Sequence, residues 1–227
     1  VTETRKHFHD ELAEVKSDVL RLGGLASEAI EAGTAAFLDA DLAAVERVIA
    51  GDRAMDDLMH SIESRTYLLL ARQQPMAVDL RMLVTILRVV HELERTGDLM
   101  VNVAKATRRL YPYTLEPRVR GILDRMREQA GVQLRLAVDT FADRDLARAA
   151  ALPDMDDVID DLQKDLFRAI FEARHGDEAA IQRAVQLALV GRYYERIGDH
   201  AANIAERVNF LVTGALPDGS GAEHTAG

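Results

Sequence analysis

The sequence predicts an all-α protein built as two tandem, pseudo-symmetric three-helix bundles of long antiparallel helices. Three observations predict it. Apolar residues recur at alternating spacings of three and four over long stretches, with almost no strand-like alternation. Prolines and Gly/Asp pairs interrupt those stretches in the same order in each half. A five-residue motif occurs twice, as E-R-T-G-D at 94–98 and E-R-I-G-D at 195–199, 101 residues apart in a chain of 227. A repeat distance near half the chain length marks a duplicated unit. The expected units are 1–113 and 114–214, followed by a mobile, small and polar tail over 215–227.

The first expected helix covers about Glu3 to Leu38, where Leu12, Val15, Val19, Leu22, Ala26, Ala29, Gly33 and Phe37 make one apolar stripe. Asp39-Ala-Asp41 breaks it, and a short amphipathic piece follows to about Ala50. Gly51 and Asp52 read as the end of that piece and the start of the next helix, which carries Leu58, Ile62 and Leu69 to about Gln73. Pro75 stops it, because proline cannot continue the hydrogen-bond ladder. A further helix carries Leu83, Ile86, Val90, Leu93 and Gly97 to about Leu110, and Pro112 and Pro117 bracket a joint. The second half replays this order. A helix from about Arg118 to Ala142 is followed by Asp143-Arg-Asp145 and a short piece. Pro153 suits the first turn of a new helix running to about Arg174. The His175-Gly176-Asp177 turn leads into a last helix that ends near Gly214.

Composition narrows the function classes. Zero cysteines exclude disulfides, thiolate metal sites and cysteine nucleophiles. The excess of 38 acidic over 28 basic residues gives a net charge of −10, which opposes nucleic-acid binding and favours cations or basic partner surfaces. No apolar run approaches the roughly 20 residues that span a bilayer, so no direct membrane insertion is expected. The N-terminal V-T-E-T-R-K-H-F lacks the apolar core of a signal peptide, and the expected compartment is the cytoplasm.

The paired motifs carry the chemistry. Glu94, Asp98 and Asn102 fall at i, i+4 and i+8 on one side of a helix, as do Glu195, Asp199 and Asn203. Like charges one turn apart repel by roughly 0.2–0.5 kcal/mol, so something should compensate. A second pair of motifs supplies Asp52 with Asp56 and Asp156 with Asp160. Asp56 lies 19 residues before Pro75 and Glu94 19 after it, and Asp52 and Asp98 lie 23 before and 23 after. In the second half the two equivalent pairings share a midpoint in the Gly176-Asp177 turn. Residues equidistant from a tight turn stand at equal height on antiparallel helices. Two acidic quartets are therefore expected: Asp52, Asp56, Glu94 and Asp98, then Asp156, Asp160, Glu195 and Asp199. Crowded carboxylates call for a cation, and all-oxygen donors suit Mg, Mn, Ca or ferric iron, with zinc also able to bind. The plain alternative is a solvated acidic face balanced by Arg53, Arg95 and Arg196.

Other groups are assigned structural roles. Gly97 and Gly198 are expected to allow close helix approach, Asn102 and Asn203 to make interhelical hydrogen bonds, with outer metal ligation as the alternative, and His200 to lie on the surface, with assistance to a metal as the alternative. His60-x-x-Glu63 and His91-x-x-Glu94 reverse the Glu-x-x-His order of di-iron bundles, which speaks against a metal-storage or di-metal redox bundle. No P-loop, G-x-G-x-x-G or nucleophile elbow is present, and no catalysis is expected.

R-Q-Q-P-M-A-V-D-L-R at 72–81, E-L-E-R-T-G-D at 92–98 and Y-E-R-I-G-D-H-A-A-N-I-A-E at 194–206 with L-V-T-G at 211–214 resemble the PhoU family. The resemblance spans both halves in order. It implies a cytoplasmic negative regulator of the phosphate-starvation response, peripheral to the membrane through its partners. Those partners would be the nucleotide-binding subunit of the phosphate ABC transporter and a sensor histidine kinase, with the chain a homodimer. It also implies iron or zinc clusters on the eight acids in some members and no metal in others. A low-affinity phosphate transporter's accessory subunit is the nearest alternative role. The P-x-A-x-D-L-R turn of the first half is not repeated at 173–180, so any role of Asp79 or Arg81 belongs to one half.

Overall fold

The chain reverses first where two aspartates follow a left-handed residue. Ala40 and Arg144 have φ of 52° and 58°, which ends the preceding helix. Asp41 then accepts hydrogen bonds from the amides of Ala43 and Ala44 (2.9 and 3.0 Å), and Asp145 from those of Ala147 and Arg148 (2.9 and 3.2 Å). Each is an N-cap that satisfies amides the first helical turn leaves without a partner. The Asp-x-Asp breaks of the two halves are thus the same device used twice. Pro117 occupies the first turn of the fourth helix, where its missing N–H costs nothing, and the Glu116 side chain accepts from the Arg118 amide at 3.3 Å.

The computed structural model describes residues 2–73, 75–172 and 178–215, with the side chains of residues 2–4, 73, 154 and 156 outside that description. The turn expected at His175-Gly176-Asp177 and the tail from 216 onward also lie outside the described residues. Among the described residues there are six α-helices and no strand: α1 (Thr2–Leu38), α2 (Leu42–Gln73), α3 (Val78–Leu110), α4 (Pro117–Asp143), α5 (Leu146–Glu172) and α6 (Glu178–Thr213). At 1.5 Å per residue the longest, α1 with 37 residues, spans about 55 Å.

The two short pieces expected before Asp52 and Pro153 do not exist as separate helices. α2 runs through Gly51 and α5 through Pro153. Apolar burial on both sides of each breaker explains the difference. Val45 and Met55 are buried on either side of Gly51, so one continuous apolar face outweighs a glycine cost of about 1 kcal/mol. Leu152 and Ile159 do the same around Pro153, at a cost of about 3 kcal/mol.

Packing places four helices in a ring. α1 packs on α3, α3 on α6, α6 on α4 and α4 on α1, while α2 lies against α1 and α3, and α5 against α4 and α6. One apolar core runs through all six helices, with Leu22, Leu83, Leu123 and Ile197 fully buried within it. Antiparallel crossing of α3 and α6 is fixed at both ends. Arg81 bonds Leu211 near one end (3.0 Å) and Arg109 bonds Gln186 near the other (3.4 Å). The α2–α3 and α5–α6 hairpin tips therefore point to opposite ends of the molecule. A Cβ on Gly23 would sit 2.7 Å from Val138 Cγ2, so this glycine permits the close contact of α1 with α4.

Candidate acidic cation site

The acids of the first expected quartet lie along the crossing of α2 and α3. A Cβ on Gly97 would lie 2.9 Å from Met55 Cε and 3.3 Å from Asp52 Oδ1. The missing side chain is what admits the Asp52 carboxylate and the Met55 thioether against α3, which is the close approach expected of this glycine. Asp52, Asp56 and Glu94 are half-buried, and Asp98 is exposed. Burial, then the charges of Asp56 and Asp98, push Asp52 up to about 6, against the pull of Lys105. Glu94 is raised as well, by burial first and then by Asp98 and Asp56, with His91 and Arg95 opposing. Asp52 and Glu94 thus each lie within the reach of the charges of both Asp56 and Asp98 across the hairpin. Beside them, His91 Nε2 meets Glu63 Oε1 at 2.9 Å.

The second set is less fully drawn. Asp160 on α5 and Asp199 on α6 are half-buried. Glu195 is buried, pairs with Arg192 one turn earlier and leaves Oε2 without a hydrogen-bond partner among the described residues. Asp156 lies within α5, with its side chain outside the described residues. Among the described residues, no three His, Asp or Glu side chains are already arranged around one point as metal ligands.

Among the polar contacts between the bundles, two are made by residues of the motifs. Glu92 on α3 accepts from His200 and Asn203 on α6, at 2.7 and 3.3 Å. Burial would raise the Glu92 pKa, but hydrogen bonds from His200 and Asn203 and the charges of His200 and Arg207 lower it overall. His200 is 6% exposed, so the expected surface histidine is a buried one, and Asn203 makes the interhelical bond expected of it. The repeat held a signal for this. His200 stands at the position of Leu99 in the first half, an apolar site that is buried. The second contact is that of Arg81, whose Nε donates to the Leu211 carbonyl in the last turn of α6. Gly214, with φ of 77°, ends that helix beneath the same guanidinium.

Comparison with known proteins places these features among relatives. The PhoU domain family matches the chain twice, over residues 19–107 and 123–208. The phosphate-specific transport system accessory protein PhoU homolog 2 of Mycobacterium tuberculosis is 36% identical over 216 residues, covering 94% of this chain and 100% of the relative. The corresponding homolog of Rhizobium meliloti is 33% identical, covering 93% of this chain and 90% of the relative. The crystal structure of PhoU from Pseudomonas aeruginosa superposes with a TM-score of 0.85 at 33% identity, over 92% of this chain and 100% of that one.

Proposed function

The chain belongs to the PhoU family, and from that premise we propose that it is a non-catalytic accessory regulator of phosphate uptake that restrains the phosphate-starvation response. In this reading it is a cytoplasmic homodimer working as an adaptor between the nucleotide-binding subunit of the phosphate ABC transporter and a sensor histidine kinase. The observation that carries the reading is the two-fold family match over residues 19–107 and 123–208, with relatives named as phosphate transport accessory proteins. Transcription of phosphate-uptake genes in a strain lacking the protein tests it. Derepression in phosphate-rich medium is the expected result, and unchanged repression would refute the regulatory role. Recovery of transporter and kinase components with the protein from phosphate-replete cells tests the adaptor step.

The acidic quartets are proposed to hold metal ions. Asp52, Asp56, Glu94 and Asp98 would hold one set, and Asp156, Asp160, Glu195 and Asp199 the other. The raised pKa values of Asp52 and Glu94 support this: burial is the larger cause, and the charges of Asp56 and Asp98 add a repulsion that a cation would relieve. A hard divalent or trivalent ion suits the oxygen donors, and the family resemblance adds iron or zinc clusters. The metal would supply charge neutralisation and fix α2 against α3. Elemental analysis of protein purified without added metal, with a thermal shift on adding Mn, Fe or Zn, tests this part. Absence of both would remove the metal and leave the regulatory reading standing.

A further inference from the structure

We propose that the groove between α1 and α2 is a docking seat for a basic amphipathic helix of a partner protein. It encloses about 460 Å³, and Gly97 and Val101 of α3 also line it. Along α1, Leu25, Ala29, Ala32 and Ala36 line it at steps of four, three and four. Ala44, Val48, Gly51 and Met55 line it along α2 at the same steps. That stepping is the seam pattern by which one helix receives another, and short side chains on both walls let a third backbone come close.

The second bundle supplies the control. A shift of 104 residues carries Asp41 onto Asp145 and Asp52 onto Asp156, and it carries Ala29, Ala32 and Gly51 onto Gln133, Leu136 and Met155. There the seam is closed from within. Gln133 is buried and donates to the Met155 carbonyl at 2.5 Å, and Leu136 packs against the core. The same architecture thus exists in a filled form and an open form in one molecule, and the open form is made by three truncated side chains.

Charge selects the occupant. Four carboxylates line the groove (Glu28, Asp39, Asp41 and Asp52) against one guanidinium, that of Arg47. Asp39 also meets Arg120 at 2.7 Å and Asp41 caps α2, which leaves Glu28 on the α1 wall facing an incoming helix, while Asp52 belongs to the cation site proposed above. A helix with Lys or Arg flanking a narrow apolar face matches both features. This assignment is independent of the regulatory role proposed above and holds whichever protein carries the helix.

The test uses the full chain in cells with photoreactive benzoylphenylalanine at Ala35, an exposed position on the groove wall. After irradiation, the cross-linked peptide is identified by mass spectrometry. The expected adduct is a Lys/Arg-rich segment of another protein with apolar residues at helical spacing. Filling the groove as the second bundle does, with Ala32→Leu and Gly51→Met, should cut its yield about tenfold. Glu28→Lys, a change at an exposed site, should cut it about threefold and carries the test if the filled variant misfolds. An adduct to a second copy of this chain, to a small molecule or to an acidic segment overturns the proposal. So does no adduct, or one that survives both sets of substitutions.

Discussion

Asp52 carries a charge that its surroundings resist. Its pKa is about 6 in the fold, against an ordinary aspartate value near 4 when unfolded. A raised carboxyl pKa means that the folded state binds the proton more tightly. The resulting stabilisation is fully present below about pH 4 and is lost as pH rises through about 6. Asp52→Asn mimics the protonated form, so in a chelating buffer it should raise the melting temperature at pH 8 and leave it nearly unchanged at pH 4. Because the side chain is only partly buried, solvent screening limits the gain to about 1 kcal/mol, roughly 2–4 °C. Glu92 behaves in the opposite sense. Its pKa is lowered, so its contribution is present above the ordinary glutamate value and fades as pH falls below it. Glu92→Ala leaves His200 and Asn203 without their acceptor in a largely buried seam and should cost about 3 kcal/mol at pH 7 by urea titration. The spacing of Asp52, Asp56, Glu94 and Asp98 about Pro75 makes legible in the sequence that Asp52 and Glu94 stand within the reach of Asp56 and Asp98. The Glu92–His200 pair is not legible that way, because it joins residues 108 positions apart across a seam whose rotation no local pattern fixes.

Helix starts and stops are legible wherever a single residue decides the backbone. Asp41, Asp145, Pro117 and Gly214 all terminate or initiate elements where their chemistry says they should. Gly51 and Pro153 mislead for the converse reason. Both disfavour a helix locally, but the apolar faces on either side are buried as one, and tertiary burial outweighs propensity. The end of α6 adds an element-scale dependence that only contact reveals. Leu211 offers one of the carbonyls that a helix C-terminus leaves unpaired, and Arg81 from the start of α3 supplies both a hydrogen bond and a positive charge there. Arg81→Ala should therefore cost about 1.5–3 kcal/mol and speed amide exchange in the last turn of α6 before it affects α2. Arg81→Lys should not restore protection, because a point ammonium on a flexible stem does not reproduce the fixed guanidinium geometry. At the 101-residue shift Arg81 falls on Gln182, so the sequence offers a guanidinium at this place in the first half only.

The duplicated halves share one apolar core. The four inner helices share a core, and each bundle closes the other through the α3–α6 and α1–α4 contacts. Polar bonds reinforce the sharing. Thr34 of α1 and Tyr194 of α6 meet at 2.5 Å between hydroxyls with no exposed surface. Burial holds the tyrosine far above the ordinary phenol range, so it stays a neutral partner across the working pH. A chain cut at the 111–116 joint would expose the inner faces of α1 and α3 to water, losing about 25 cal/mol for every square ångström of apolar surface uncovered. Two consequences are expected. Calorimetry of the intact chain should show one transition, with calorimetric and van't Hoff enthalpies equal. Residues 1–113 expressed alone should show helical circular dichroism without a sigmoidal melt, while co-expression with 114–227 restores it. Two separated transitions, or a first half that melts cooperatively by itself, would show that the inner faces are stable in water and that the seam only joins finished units. The distinction bears on function, because a single cooperative body can pass a displacement of α2, where the acids sit, to α5 on the far side.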